Sequence, residues 1–228
     1  MKIIVVGLGN FGSSLALALM DEGHEVIGVD TNLDKVEKLQ DRITYCVKLD
    51  ATELSSLRNL PFDLADQAII AIGEDVGASI TALAQVKKIF NGKIIARSIN
   101  EIHHAILETI KIDEIVEPEA EFAHELAKRI ALRKVIKSMS LPGAYEIAEI
   151  PMPDFMIGRK LSDIDISRFE SLQIITVIKK GVKQNLFKAN VNEYKTLGKI
   201  GSEYLFEADD ILVLFGINKQ IEKFANQY

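Results

Sequence analysis

Three glycines spaced G-x-G-x-x-G (Gly7, Gly9 and Gly12), followed by a carboxylate at Asp30, are the residues of this chain best suited to chemistry. That chemistry is recognition of a nucleotide rather than bond breaking. Gly7 suits a tight turn, Gly9 lets the backbone approach a pyrophosphate, and Gly12 lets the next helix pack closely on a strand. A helix starting near Asn10 offers unpaired N–H groups and the positive end of its dipole to phosphate oxygens. Asp30 follows about 20 residues later, where an acidic side chain accepts ribose hydroxyls.

Glycines can also serve packing alone, so the elements that position them decide the reading. Residues 3–6 are β-branched and apolar, like a strand buried on both faces, and residues 26–29 form a second such strand closing on Asp30. Between them Leu15, Leu17, Leu19 and Met20 give a helix an apolar body, and Gly23 ends it. Strand, glycines, helix, strand and terminal carboxylate in that order predict a nucleotide-binding fold.

The 228 residues suit one large domain or two small ones, and 48% hydrophobic content is enough for real cores. A net charge of −6 and a pI near 5.4 argue against nucleic acid as a partner. The single cysteine, Cys46, sits in an apolar segment and reads as a buried thiol in a reducing compartment. Residues 3–20 are uncharged and follow Lys2, as in a secretory signal, but glycines, Asn10 and serines interrupt them and no small-residue cleavage pattern follows. No other uncharged run approaches the length of a membrane span, and the chain reads as soluble and cytoplasmic.

Beyond Asp30, residues 32–39 read as a helix capped by Asn32 with Val36 and Leu39 inward, 44–48 as a third strand, and 53–60 as a helix started by Thr52. The Asp50-Ala51-Thr52 loop would lie at the carboxyl ends of the strands, where parallel sheets bind ligands. Asp50 is either a turn and capping residue or an adenine and ribose contact. Residues 67–72 are nearly all apolar, as in a central parallel strand; Gly73, Glu74 and Asp75 follow, and a long helix runs to Phe90. Residues 93–96 form a fifth strand ended by Arg97, 101–110 a helix, and 112–116 a sixth strand. This alternation predicts an α/β fold with a right-handed, doubly wound parallel sheet over residues 1–116.

Pro118 breaks the pattern, and one long helix is predicted from Glu119 to about Met139. Glu119, Glu121 and Glu125 near its start and Lys134 and Lys137 toward its end suit the macrodipole. Phe122, Ala123, Leu126, Ile130, Ala131 and Val135 form an apolar stripe that a finished sheet does not require, which predicts a partner. After Pro142 and Gly143 the pattern changes. Residues 145–150 alternate, 159–164 suggest a short helix, 172–178 a strand, Lys179-Lys180-Gly181 a hairpin turn and 182–187 its partner; 209–216 form a last strand and 218–226 a closing helix. The expected domains are 1–137, including the crossover helix, and a small antiparallel α+β domain at 138–228.

The remaining ionisable residues are less informative. His103 and His104 are adjacent on a helix and point about 100° apart, so they are not an i, i+4 ligand pair. His24 falls in a turn and His124 on a solvated helix face. No G-x-S-x-G, H-E-x-x-H or paired-cysteine spacing occurs, so no catalytic constellation is visible.

The string G-L-G-N-F-G at residues 7–12, with residues 25–30, Leu49-Asp50-Ala51-Thr52, Ala71-Ile72-Gly73, Glu117-Pro118-Glu119 and A-D-D-I-L-V-L-F-G at residues 208–216, resembles the RCK (regulator of potassium conductance) family. The resemblance covers essentially the whole chain and is nearest the KtrA/TrkA type of cytosolic regulatory subunit. It implies a Rossmann-like nucleotide domain followed by a C-terminal ligand domain. ATP, ADP or NAD(H) would then bind a set made of Gly7, Gly9, Asn10, Phe11, Gly12, Asp30, Thr31, Asp50, Ala51, Thr52, Ile72, Gly73, Glu74 and Arg97. Many KtrA-type members carry an arginine after the second glycine that reaches a phosphate. Here the position is Asn10, which weakens discrimination of ATP from ADP by the γ-phosphate.

By the same resemblance, Glu119 matches an acidic position that some relatives use for a divalent cation between subunits, although its own setting favours a carboxylate satisfied by a helix N-terminus. Arg168 resembles, across a one-residue gap, a basic residue near cyclic di-AMP in some relatives; a surface arginine is the alternative. The implied partners are a membrane potassium-translocating subunit of the KtrB/TrkH kind and further copies of this chain, as a homodimer assembling into an octameric ring on the inner face of the membrane. Three functions compete: a non-enzymatic gating subunit, an NAD-dependent oxidoreductase, and a stand-alone ligand module. Against the second, residues 138–228 contain no histidine to serve as general acid or base.

Overall fold

The computed structural model describes residues 1–131, 134–184 and 190–226. The chain forms two compact units, Met1–Ala120 and Glu121–Tyr228. The first contains β1 (Lys2–Val6), α1 (Asn10–Asp21), β2 (Glu25–Asp30), α2 (Leu33–Glu37), β3 (Tyr45–Lys48), α3 (Leu54–Leu57), β4 (Gln67–Ile70), α4 (Val76–Ile89), β5 (Lys93–Arg97), α5 (Glu101–Ile110) and β6 (Glu114–Val116), and ends in the first turn of α6 (Pro118–Ala131).

Its six strands form one parallel sheet in the order β3-β2-β1-β4-β5-β6. Strand alternation divides the apolar residues of β1 between two cores: Ile3 and Val5 pack with Ala16 of α1 and Val36 of α2, whereas Ile4 and Val6 pack with Leu57 of α3 and Leu83 of α4. Both faces are therefore covered, which explains the near absence of polar residues in β1 and β4. The strand order reverses between β1 and β4, and in such sheets the crevice at that switch point is where ligands bind.

The second unit contains β7 (Lys137–Ser140), β8 (Tyr145–Pro151), β9 (Gln173–Gln184), β10 (Asn190–Thr196), β11 (Ile211–Ile217) and α7 (Asn218–Ala225). Its antiparallel sheet has the order β10-β9-β11-β8-β7, around a core that includes Ile150, Met156, Val177, Phe206, Leu212 and Phe224.

Several expected boundaries differ for local reasons. The helix predicted to Met139 ends at Ala131, and residues 132–133 lie outside the described residues. Pro142 and Gly143, the latter at φ +78°, turn residues 137–140 back along β8; the Ile136 N–H reaches the Glu149 carbonyl at 2.7 Å, and Val135 enters the second core instead of a helix stripe. Lys179, Lys180 and Gly181 are not a turn but lie inside β9, with Gly181 opposite Glu193 of β10. The predicted partner strand at 182–187 is instead a continuation of β9 to Gln184, and residues 185–189 lie outside the described residues. The Lys179 ammonium is held by Glu207 at 2.7 Å, a tertiary partner that local composition does not reveal. The helix predicted over 53–60 shrinks to α3, which starts after Glu53 rather than Thr52. Cys46 is half-buried rather than buried, and burial pushes its thiol pKa up.

Candidate nucleotide site

A cleft of about 420 Å³ opens at the carboxyl ends of the parallel strands, within the range of small-molecule sites (about 300–1,000 Å³). Its floor is the glycine turn. Gly7 sits at φ +97°, donates its N–H to the Val29 carbonyl at 2.7 Å, and leaves no room for a side chain, since a Cβ there would lie 2.8 Å from the Ile72 amide nitrogen. Gly9 is the N-cap of α1, and no side chain caps that helix end. A Cβ on Gly9 would point into open space, so this stretch of backbone is accessible to a ligand. Gly12 is buried and stands behind the cleft, where a Cβ would collide with the Gly7 carbonyl oxygen. Its place in the structure is a packing one.

Asp30 is nearly enclosed, with 9% of its side chain exposed. One carboxylate oxygen accepts the Leu8 N–H at 2.7 Å and the other the Asn32 N–H at 2.8 Å, and Lys35 Nζ stands 4.0 Å away. Asp50 is a turn residue: one oxygen accepts both the Thr52 N–H at 2.9 Å and the Thr52 hydroxyl at 2.7 Å, and these bonds hold its pKa below the ordinary value. It also lines the cleft, so its two expected roles are compatible. Asp75 caps α4 through the Ala78 N–H at 3.0 Å, and Glu74 pairs with Lys35 at 3.3 Å.

Arg97, at the end of β5, closes the far side. Its guanidinium carbon lies 5.6 Å from the centroid of the Phe11 ring, its Nη2 is paired with Glu119, and it fills the space where Gly73 has no side chain. Its Nε is buried and has no hydrogen-bond partner.

The structure thus brings Gly7, Gly9, Asn10, Phe11, Asp30, Thr31, Asp50, Ala51, Thr52, Ile72, Gly73, Glu74, Arg97 and Glu119 to one cleft. Gly12 is not among the lining residues. Arg168 belongs to the second unit, where its Nε donates to Asp165 at 2.9 Å and its side chain is 72% exposed. Sequence reasoning missed Lys35 as a lining residue and the Arg97–Glu119 pair. The first was legible in principle, one helical turn past the Asn32 cap; the second joins a strand end to a helix start across 22 residues and had no local signal. Among the described residues no group of three or more His, Cys, Asp or Glu is arranged to hold a metal ion.

Residues 3–118 match the family model for the TrkA-N domain. The chain is 30% identical over 226 residues to the Ktr system potassium uptake protein C of Bacillus subtilis (strain 168), spanning 99% of this chain and 96% of that protein. The Ktr system potassium uptake protein A of the same organism is 27% identical over 230 residues, again spanning 99% of this chain and 96% of that protein. Among solved structures, the GsuK RCK domain superposes with a TM-score of 0.62 at 18% identity, over 99% of this chain and 48% of that one. The GsuK channel bound to NAD gives a TM-score of 0.59 at 18% identity, over 96% of this chain and 38% of that one. This chain spans about half or less of the GsuK chains, and at that identity the likeness speaks for the fold alone. An oxidoreductase loses its ground: the relatives aligned over nearly the whole chain are potassium uptake proteins.

Proposed function

The chain belongs to the TrkA-N domain family, and from that premise we propose that it is a nucleotide-sensing, non-enzymatic regulatory subunit of a membrane potassium uptake system. One observation carries the reading: a cleft with the parts of a nucleotide site lies in a chain that aligns over nearly its whole length with Ktr potassium uptake proteins. The ligand is an adenine nucleotide, ATP, ADP or NAD(H). Its phosphates lie over Gly7, Gly9 and the start of α1, its ribose near Asp30 and Thr31, and its base by Asp50, Ala51 and Thr52. That a channel of related fold has been solved with NAD supports this ligand class.

No helix among the described residues is long and apolar enough to cross a membrane. Translocation is assigned to a separate membrane subunit of the KtrB/TrkH kind, on whose cytoplasmic face this chain acts. Exposed Phe122 and Ile130 on α6 support association of two copies, and further copies would complete an octameric ring. Burying each such side chain contributes about 1.5–3 kcal/mol. The second unit is the place for a small regulator, with cyclic di-AMP at Arg168 as the candidate. Calorimetric titration of the full chain with ATP, ADP, NAD⁺ and NADH, beside potassium uptake in cells with and without the chain, tests the whole. Binding of one of these with chain-dependent uptake supports it; binding of none, or uptake indifferent to the chain, overturns it.

A further inference from the structure

The Arg97–Glu119 pair is unequal. The arginine side chain is 17% exposed and the glutamate side chain 64%. Arg97 lies against Phe11 and over Gly73, and its buried Nε–H has no acceptor. A guanidinium is charged at every physiological pH and presents donors in a planar fork suited to phosphate oxygens. Glu119 can be released to water, and its place in the first turn of α6 suits a free carboxylate because the helix dipole favours negative charge there. Arg97 cannot be released in the same way without leaving a cation poorly hydrated.

The rest of the cleft sharpens the asymmetry. Asn10 brings no charge to the glycine loop, and Lys35, the other lining cation, already faces Asp30 at 4.0 Å and Glu74 at 3.3 Å. Five carboxylates line the same space: Asp30, Asp50, Glu74, Asp75 and Glu119. Beyond the backbone N–H groups at the start of α1, the lining cation left for a phosphate chain is Arg97, and there Glu119 holds the place.

We propose that Glu119 is a built-in competitor for the phosphate chain: an adenine nucleotide with two or more phosphates displaces the Glu119 carboxylate from Arg97, takes both the vacated Nη2 and the free Nε, and releases the first turn of α6. The proposal rests on the nucleotide reading above. It assigns the charge-reading role to Arg97, in place of a residue on the glycine loop, and makes Glu119 the element that answers the ligand. Occupancy by adenosine, which has no phosphate, leaves the pair intact.

The test is calorimetric titration of the full chain with ADP and with adenosine in the presence of EDTA, for the parent, Glu119→Gln, Arg97→Gln and the double variant. Removing the competitor should tighten ADP binding by about tenfold in Glu119→Gln and leave adenosine unchanged. Arg97→Gln should weaken ADP and not adenosine, and in its background Glu119→Gln should have no further effect. ADP affinity unchanged or weakened in Glu119→Gln overturns the displacement, as does an equal gain for adenosine. A loss of ADP affinity in Glu119→Gln that appears with Mg²⁺ and vanishes in EDTA also overturns it, by assigning the carboxylate to a cation. Failure of the parent to bind either ligand overturns the nucleotide reading itself, and the displacement with it.

Discussion

The Asp30 carboxylate accepts the Leu8 backbone N–H at 2.7 Å, so the acidic end of β2 holds the glycine loop in place across the head of β1. A side chain expected to serve a ribose is thus also part of the scaffold, with its other oxygen on the Asn32 N–H at 2.8 Å. Asp30→Ala should therefore lose on two measurements together. Nucleotide affinity falls by about 1–3 kcal/mol in titration calorimetry, and thermal stability falls because the Leu8 and Asn32 amides lose their acceptor. A variant that loses affinity at unchanged melting temperature would contradict the anchoring role.

The glycines separate by what surrounds them. Gly9→Val should cost no more than about 1 kcal/mol of stability, the loss of a good N-cap residue where a Cβ meets nothing within 4 Å, yet abolish nucleotide binding by filling the space of the phosphates. Gly12→Ala should do the reverse in order of severity: its Cβ collides with the Gly7 carbonyl, so the protein is destabilised by about 1–3 kcal/mol before ligand is considered. Chemical denaturation of both variants beside ligand titration distinguishes the two roles.

His103 is fully buried in α5; its Nδ1 accepts the Ile99 N–H at 3.2 Å and its Nε2 has no partner. Burial lowers its pKa below the ordinary 6.5. The unfolded chain then binds this proton more readily than the folded one, so stability should decline as pH falls below about 6.5 toward the depressed folded value. Denaturant midpoints between pH 7.5 and 5.5 should fall less steeply for His103→Asn than for the parent. Equal slopes would remove His103 as the cause.

Phe122 and Ile130 on α6 are 59% and 70% exposed. Light scattering should give a mass well above the 25.3 kDa of one chain, and Phe122→Asp should lower it, with a fall in melting temperature that reflects the lost association. A monodisperse 25.3 kDa species for the parent would remove α6 as a self-association surface.

In the second unit Asp210 is 2% exposed and is met by the Tyr204 hydroxyl at 2.8 Å, the Glu207 N–H at 3.0 Å and Lys179 Nζ at 3.6 Å. Burial, and the bond to Asp210, push the Tyr204 phenol up to about 12. Asp210→Ala leaves the Tyr204 hydroxyl and the Glu207 N–H without their acceptor, while Lys179 keeps Glu207, and should destabilise the protein by about 1–3 kcal/mol in denaturation. A loss below 1 kcal/mol would show that the network is solvated enough to be dispensable.

What the amino-acid order determined by itself is whatever is written locally. The β-branched residues 3–6, the glycines at fixed spacing and Asp30 at the next strand end identify one βαβ unit, because turn geometry and strand burial are set by neighbours within a few residues. The helix over 101–110 was legible to the residue for the same reason, with Asn100 capping its start through the His103 N–H and Lys111 in the left-handed region ending it. Tertiary structure alone decided the rest. Residues 137–140 became a strand because β8 offered them backbone partners, and Lys179-Lys180-Gly181 stayed extended because β10 pairs with them along the sheet. The position of Arg97 over Gly73 and beside Glu119 depends on the order of strands in the sheet, which brings distant strand ends together with a register that no local pattern encodes. A long-range ion pair is chosen by what the folded chain places within reach, and that is a property of packing, not of spacing along the chain.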